Sequence, residues 1–103
     1  MDEVAAAVRA AVEWLDDANG RDPANLTFRI LKVVEEAGEA ASAWIGATGN
    51  NPRKGVTHTP ADVAAELADV AFTALVAIES LGLDHQAELS ACAAKVSARL
   101  HAP

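Results

Sequence analysis

Apolar side chains recur along this chain at the three-to-four-residue interval of amphipathic helices, in four blocks separated by glycine, proline and capping residues. From Val4 the positions Val8, Val12 and Leu15 carry the first block, and Asn19-Gly20 ends it. Glycine stops a helix there because it enters the left-handed conformation without strain. The first helix is therefore expected over 2–18. Asp22-Pro23 reads as an N-cap followed by proline at the first helical position, where a missing N–H costs nothing. The second helix is expected to run to about Ile45. Thr59-Pro60-Ala61-Asp62 repeats the signature, with Asp62 placed to return a capping-box bond and to favour the helix dipole. The third helix is expected over 60–81, stopped by Gly82. Asp84 caps a fourth, whose apolar stripe is Leu89, Cys92, Ala93, Val96 and Leu100.

Between the second and third blocks, residues 46–59 contain three glycines, one proline and no helical period, so they read as a loop. Connections of that length in compact domains are uncommon unless functional or disordered. No repeat, linker or low-complexity tract divides the chain, and residues 1–103 are expected to form a single all-α domain of four helices.

Composition sharpens this reading. Of 103 residues, 51% are hydrophobic but only 4% aromatic, and 25 are alanine, a helix-forming and close-packing mixture. A domain this short buries a small share of its unfolded surface, so oligomerisation is expected to complete its core. The net charge of −7 argues against a nucleic-acid polymer as partner, since that affinity rests on basic surface. No apolar run approaches the roughly 18 to 20 residues that span a bilayer, so no membrane partner is expected. The single Cys92 cannot pair internally and Met1-Asp2-Glu3 lacks the positive region of a signal peptide, which together point to a cytoplasmic setting.

The most informative positions are acidic. Glu36 with Glu39, and Glu66 with Asp69, form two i, i+3 pairs on consecutive expected helices. Residues three apart project from one helix face, so each pair supplies half of a hard-oxygen cation site. Two antiparallel helices would bring the halves together, and a divalent cation would resolve the repulsion of the crowded carboxylates. On the second helix Lys32, Glu35, Glu36 and Glu39 share a sector with Phe28 and Ala43. On the third, Asp62, Glu66, Asp69 and Thr73 share one, and that helix carries no basic residue. A merely solvated face would usually mix lysine and arginine among its acids.

Glu35-Glu36-Ala37-Gly38-Glu39, followed by Glu66-Leu67-Ala68-Asp69-Val70, resembles the paired acidic motif of the MazG-like all-α nucleoside triphosphate pyrophosphohydrolases. The resemblance extends through Leu31 to Val34, Gly82-Leu83-Asp84 and the Lys95 to Arg99 spacing, and departs at Val96, where an asparagine is often found. It implies a dimeric or larger helical assembly that hydrolyses nucleoside triphosphates to monophosphate and pyrophosphate with Mg²⁺, Mn²⁺ being a possible substitute. It also implies Glu36, Glu39, Glu66 and Asp69 as metal ligands with Glu35 close by. Phosphoribosyl-ATP pyrophosphohydrolase shares the acidic motif and is an alternative.

The chemistry suits the residues. Glu35 or Glu36 is the candidate general base toward an attacking water, and sequence does not choose between them. Lys54 in the loop, with Lys95 and Arg99 one turn apart on the fourth helix, are candidates to bind the substrate phosphates. Lys32, at i, i+4 from Glu36, is placed to neutralise the acidic stripe. Trp14, Trp44 and Phe28 are either core, subunit contact or a base-stacking surface, the first two being favoured. Cys92 reads as a small buried hydrophobe. A di-iron carboxylate bundle is disfavoured, because no histidine stands three after a glutamate. A non-catalytic helical partner-binding module would explain the alanine-rich seams but not two acidic pairs.

Overall fold

The computed structural model describes residues 2–103. Four helices follow one another, α1 (Glu3–Asn19), α2 (Pro23–Thr48), α3 (Pro60–Ser80) and α4 (His85–Leu100), and no strand occurs among the described residues. None of these helices is long and apolar enough to cross a membrane. Each starts on a side-chain acceptor that satisfies N–H groups left open at a helix start. Asp2 accepts from Val4 N at 2.9 Å, Asp22 from Asn25 N at 2.9 Å and Asp84 from Gln86 N at 2.9 Å. Thr59 and Asp62 exchange bonds in a full capping box, Thr59 N donating to Asp62 Oδ2 at 2.8 Å.

The second helix differs from its sequence reading. It continues through Thr48 and ends on Gly49, which is left-handed at φ 66°. Gly46 lies inside the helix and is buried because the returning loop crosses it. Thr57 N donates to the Gly46 carbonyl at 2.9 Å, and a Cβ on Gly46 would stand 2.2 Å from His58 Nδ1 and 2.5 Å from Thr57 Oγ1. This glycine marks a close approach, not a terminus. The connection shortens to residues 49–59.

α2 and α3 form an antiparallel hairpin, the most extensive pairing in the chain, with the small Ala40 and Ala43 buried on α2. α1 lies against α3, and Val8, Val12 and Val76 make the core, flanked by Leu15, Phe72 and Leu75. A charged lock joins the far ends of these three helices. Arg29, only 7% exposed, donates to Asp16 Oδ1 at 2.7 Å, to the Gly20 carbonyl at 2.8 Å and to Ser80 Oγ at 3.2 Å. Arg21 adds two bonds to Asp16 and one of 2.6 Å to the Ser80 carbonyl. Three of the guanidinium's donors are matched, one of them by a carboxylate, which is what makes its burial tolerable.

α4 stands apart. His85 at its start is buried and bonds Glu79 through Nδ1 at 2.6 Å, but the rest of the helix is exposed, including Leu89, Val96 and Leu100. Cys92 is exposed too, contrary to the sequence reading of it as buried. Trp14 and Trp44 likewise lie outside the core of this chain, at 70% and 56% exposed. The radius of gyration of 16.7 Å exceeds the about 13 Å of a compact chain this long, in keeping with an α4 that is exposed beyond its first residue.

Two outcomes follow from this packing. Gly46→Ala should cost about 1–3 kcal/mol in urea unfolding, since the loop must back away from α2; unchanged stability would refute the close approach. The guanidinium of Arg29 holds the Asp16 carboxyl below its ordinary 3.8, and the bond from His85 holds Glu79 below its ordinary 4.5. Both folded values are depressed, so their contribution is complete above those ordinary values and is lost as pH falls through the lower folded ones. Asp16→Asn should therefore flatten the acid limb of a stability–pH curve below about pH 5, relative to the parent chain.

Candidate metal centre

Antiparallel pairing of α2 and α3 sets the acidic pairs facing one another. Carboxylate oxygens of Glu36, Glu66 and Asp69 lie within 4.8 Å of one another, and those of Glu35, Glu36 and Glu39 do so as well. Glu36 belongs to both groups and is the hinge of the site. Its side chain is 13% exposed, whereas that of Glu35 is 61% exposed and turned toward Lys32. Three of the four expected ligands, Glu36, Glu66 and Asp69, thus gather across the α2–α3 seam, while Glu39 groups with Glu36 and Glu35 along α2.

Charge is poorly balanced there. Among the described residues the one basic side chain paired with these acids is Lys32, which bonds Glu35 and lies 3.5 Å from Glu36. Its ammonium is pushed above its ordinary value, chiefly by the hydrogen bond to Glu35. Glu39 is pushed up as well, first by the charge of Glu36, then by burial, with Glu66 and Glu35 adding to it. Glu66 Oε2 is buried and has no hydrogen-bond partner, alone among the described residues. A buried carboxylate oxygen without a donor is costly, and crowded like charges add to that cost. A divalent cation with oxygen preference removes both penalties, so the donor set fits Mg²⁺ or Mn²⁺.

The expected phosphate-binding residues are less gathered. Lys54 lines a small cleft of about 180 Å³ between the loop and α2, with Asn51, Thr57 and His58. Lys95 and Arg99 stand on the exposed α4. None of the three enters an ion pair among the described residues. Trp44 borders an apolar groove with Val63, Leu67 and Val70, while Trp14 and Phe28 line a different cavity beside Lys32.

A second mixed cluster, Glu79, Asp84 and His85, also comes within 4.8 Å. It was not legible as a motif, since the pairing of Glu79 with His85 spans the α3–α4 turn. The Glu79–His85 bond and the capping role of Asp84 account for it as the fastening of α4. Arg29 was equally hidden, because a lone arginine between Phe28 and Ile30 carries no signal until Asp16 and Ser80 are brought to it.

No family model, curated protein or solved structure matches this chain. The reading of the site rests on the two acidic motifs and their geometry.

Titration with Mg²⁺ checks it. Cation at about 100 times its Kd should add about 2.7 kcal/mol of stability at pH 7, read as a rise in Tm. Glu39 has a raised folded value, so its ionisation opposes folding as pH rises through that value, and protonation opposes the cation as pH falls through it. Glu39→Gln should accordingly raise the metal-free Tm and shrink the gain from Mg²⁺. A metal-free Tm that falls, or a gain that persists in full, would contradict the assignment.

Proposed function

We propose that the chain is a Mg²⁺-dependent nucleoside triphosphate pyrophosphohydrolase, cleaving the triphosphate to monophosphate and pyrophosphate and so clearing the nucleotide pool. The observation that carries this is the convergence of Glu36, Glu66 and Asp69 across the α2–α3 seam, with Glu66 Oε2 left without a donor. Glu36, Glu39, Glu66 and Asp69 would hold the cation. When bound, Mg²⁺ would supply positive charge for the phosphate oxygens and for the pyrophosphate leaving group.

The chain's own residues supply the rest. A water attacks phosphorus of the α–β anhydride; its oxygen forms the new P–O bond, the bridging bond breaks, and pyrophosphate departs with the bond's electron pair. The proton leaves the water for a carboxylate. Glu36 is better placed than Glu35 to take it, being at the centre of both acidic groups, while Glu35 is turned to Lys32. Among the described residues Lys54, Lys95 and Arg99 have no carboxylate partner, which leaves them available to a polyanion.

A homo-oligomer belongs to the same reading. α4 presents Leu89, Val96 and Leu100 to solvent, and a second copy would cover them. The exposed α4 also favours a second reading, a helical module that binds another protein without catalysis. Metal dependence separates the two.

Pyrophosphate release from ribo- and deoxyribonucleoside triphosphates should require Mg²⁺ or Mn²⁺. Asp69→Asn and Glu36→Gln should each lower kcat by a factor of about 10² or more, the scale of a lost base or charge-stabilising group, with helical circular dichroism unchanged. Turnover retained in both variants would overturn the proposal.

A further inference from the structure

One cavity lies against the acidic centre without sharing its chemistry. It measures about 320 Å³, and its walls include Trp14 from α1, Phe28 from α2, and Phe72 and Val76 from α3, with Asn19 and Thr73 at its polar edge. Three of the chain's four aromatic residues are gathered here. Trp14 and Phe28 line it while remaining 70% and 65% exposed, so their rings are a surface open to a ligand and not core filling.

Its position is set by helix geometry. Phe28, Lys32 and Glu36 follow at intervals of four residues on α2, and Thr73 and Asp69 at the same interval on α3. The cavity therefore begins about one turn, roughly 5 Å, from the carboxylates along both helices. Charge within it is spent. Arg29 in its wall gives its donors to Asp16, Gly20 and Ser80, and Lys32 is held by Glu35 and Glu36. What remains for a ligand is apolar ring surface with an amide and a hydroxyl. Among the described residues neither the Asn19 carboxamide nor the Thr73 hydroxyl has a hydrogen-bond partner.

We infer that this cavity is the subsite for the nucleobase of the substrate, an inference that rests on the nucleotide reading given above. The volume lies at the small end of ligand pockets, right for one heteroaromatic ring system with part of its sugar and too small for a whole triphosphate. Stacking on indole and phenyl faces tolerates any base, because every base has a π-face. Asn19 and Thr73, uncharged and able to donate or accept, add modest preference. The enzyme would demand a base without strongly specifying which one. Trp44, in its separate groove, takes no part.

The test compares nucleoside triphosphates with inorganic tripolyphosphate, which carries a chain of phosphoanhydrides of the same length without the sugar or the base. Trp14→Ala and Phe28→Ala should each raise KM for the nucleotides about ten-fold, the scale of one lost stacking partner, with kcat nearly unchanged and tripolyphosphate kinetics unaffected. In a Trp44→Phe background, where Trp14 is the sole indole, a nucleoside monophosphate should quench fluorescence and tripolyphosphate should not. Equal effects of the variants on both substrates, or no quenching while pyrophosphate is still released, would overturn the subsite and leave the hydrolase reading standing. Quenching without any pyrophosphate release would uphold the cavity and remove the hydrolase. A Trp14→Ala chain whose mass by light scattering falls, with KM unchanged, would mean that a second copy fills the cavity, and would overturn it as well.

Discussion

The structure turns on carboxylates of like charge held at the seam of its best-packed helix pair. Alanines at positions 40 and 43 let α2 and α3 lie close, and that closeness carries Glu36 against Glu66 and Asp69. One lysine cannot balance five acids, and one carboxylate oxygen is buried without any donor. Natural chains rarely keep such an arrangement unless something relieves it. A site of hard oxygens around a divalent cation is the relief that the residue types allow, and it is on such a cation that the proposed phosphoryl chemistry rests.

The remaining elements hold this seam in place and equip its surroundings. α1 caps the apolar side of α3 and, through Asp16 and Arg29, fixes where α2 begins. Arg29 also lines the aromatic cavity, together with Phe28 and Lys32 of the same helix, so the lock is built into the cavity's wall. The loop over Gly46 secures the opposite end of the hairpin. α4 is fastened only at its first turn, by Glu79 and His85, and its apolar stripe is free.

Local rules were legible from the residues and long-range ones were not. All four helices, the caps at Asp22 and Asp84 and the capping box at Thr59 follow from side chains acting within a few residues, whereas Asp2, read as the first helical residue, caps α1 instead. The acidic pairs were legible for the same reason, since i, i+3 spacing fixes a face. Gly46 misled because glycine serves two purposes, ending a helix or admitting a neighbour, and only the position of His58 decides between them. Cys92 and the α4 stripe misled because periodicity reports that a face needs cover and not which surface gives it. Arg29 and the Glu79–His85 pair depend on partners distant in sequence or across a turn, where no pattern announces them.

The central claim is that the acids of α2 and α3 share one cation. A crystal of the protein grown with Mn²⁺ and measured for anomalous scattering locates it directly. A peak is expected between the carboxylates of Glu36, Glu66 and Asp69, with Glu66 Oε2 among its contacts. Manganese found only on other surface carboxylates, with Glu66 Oε2 still lacking a partner, would contradict it.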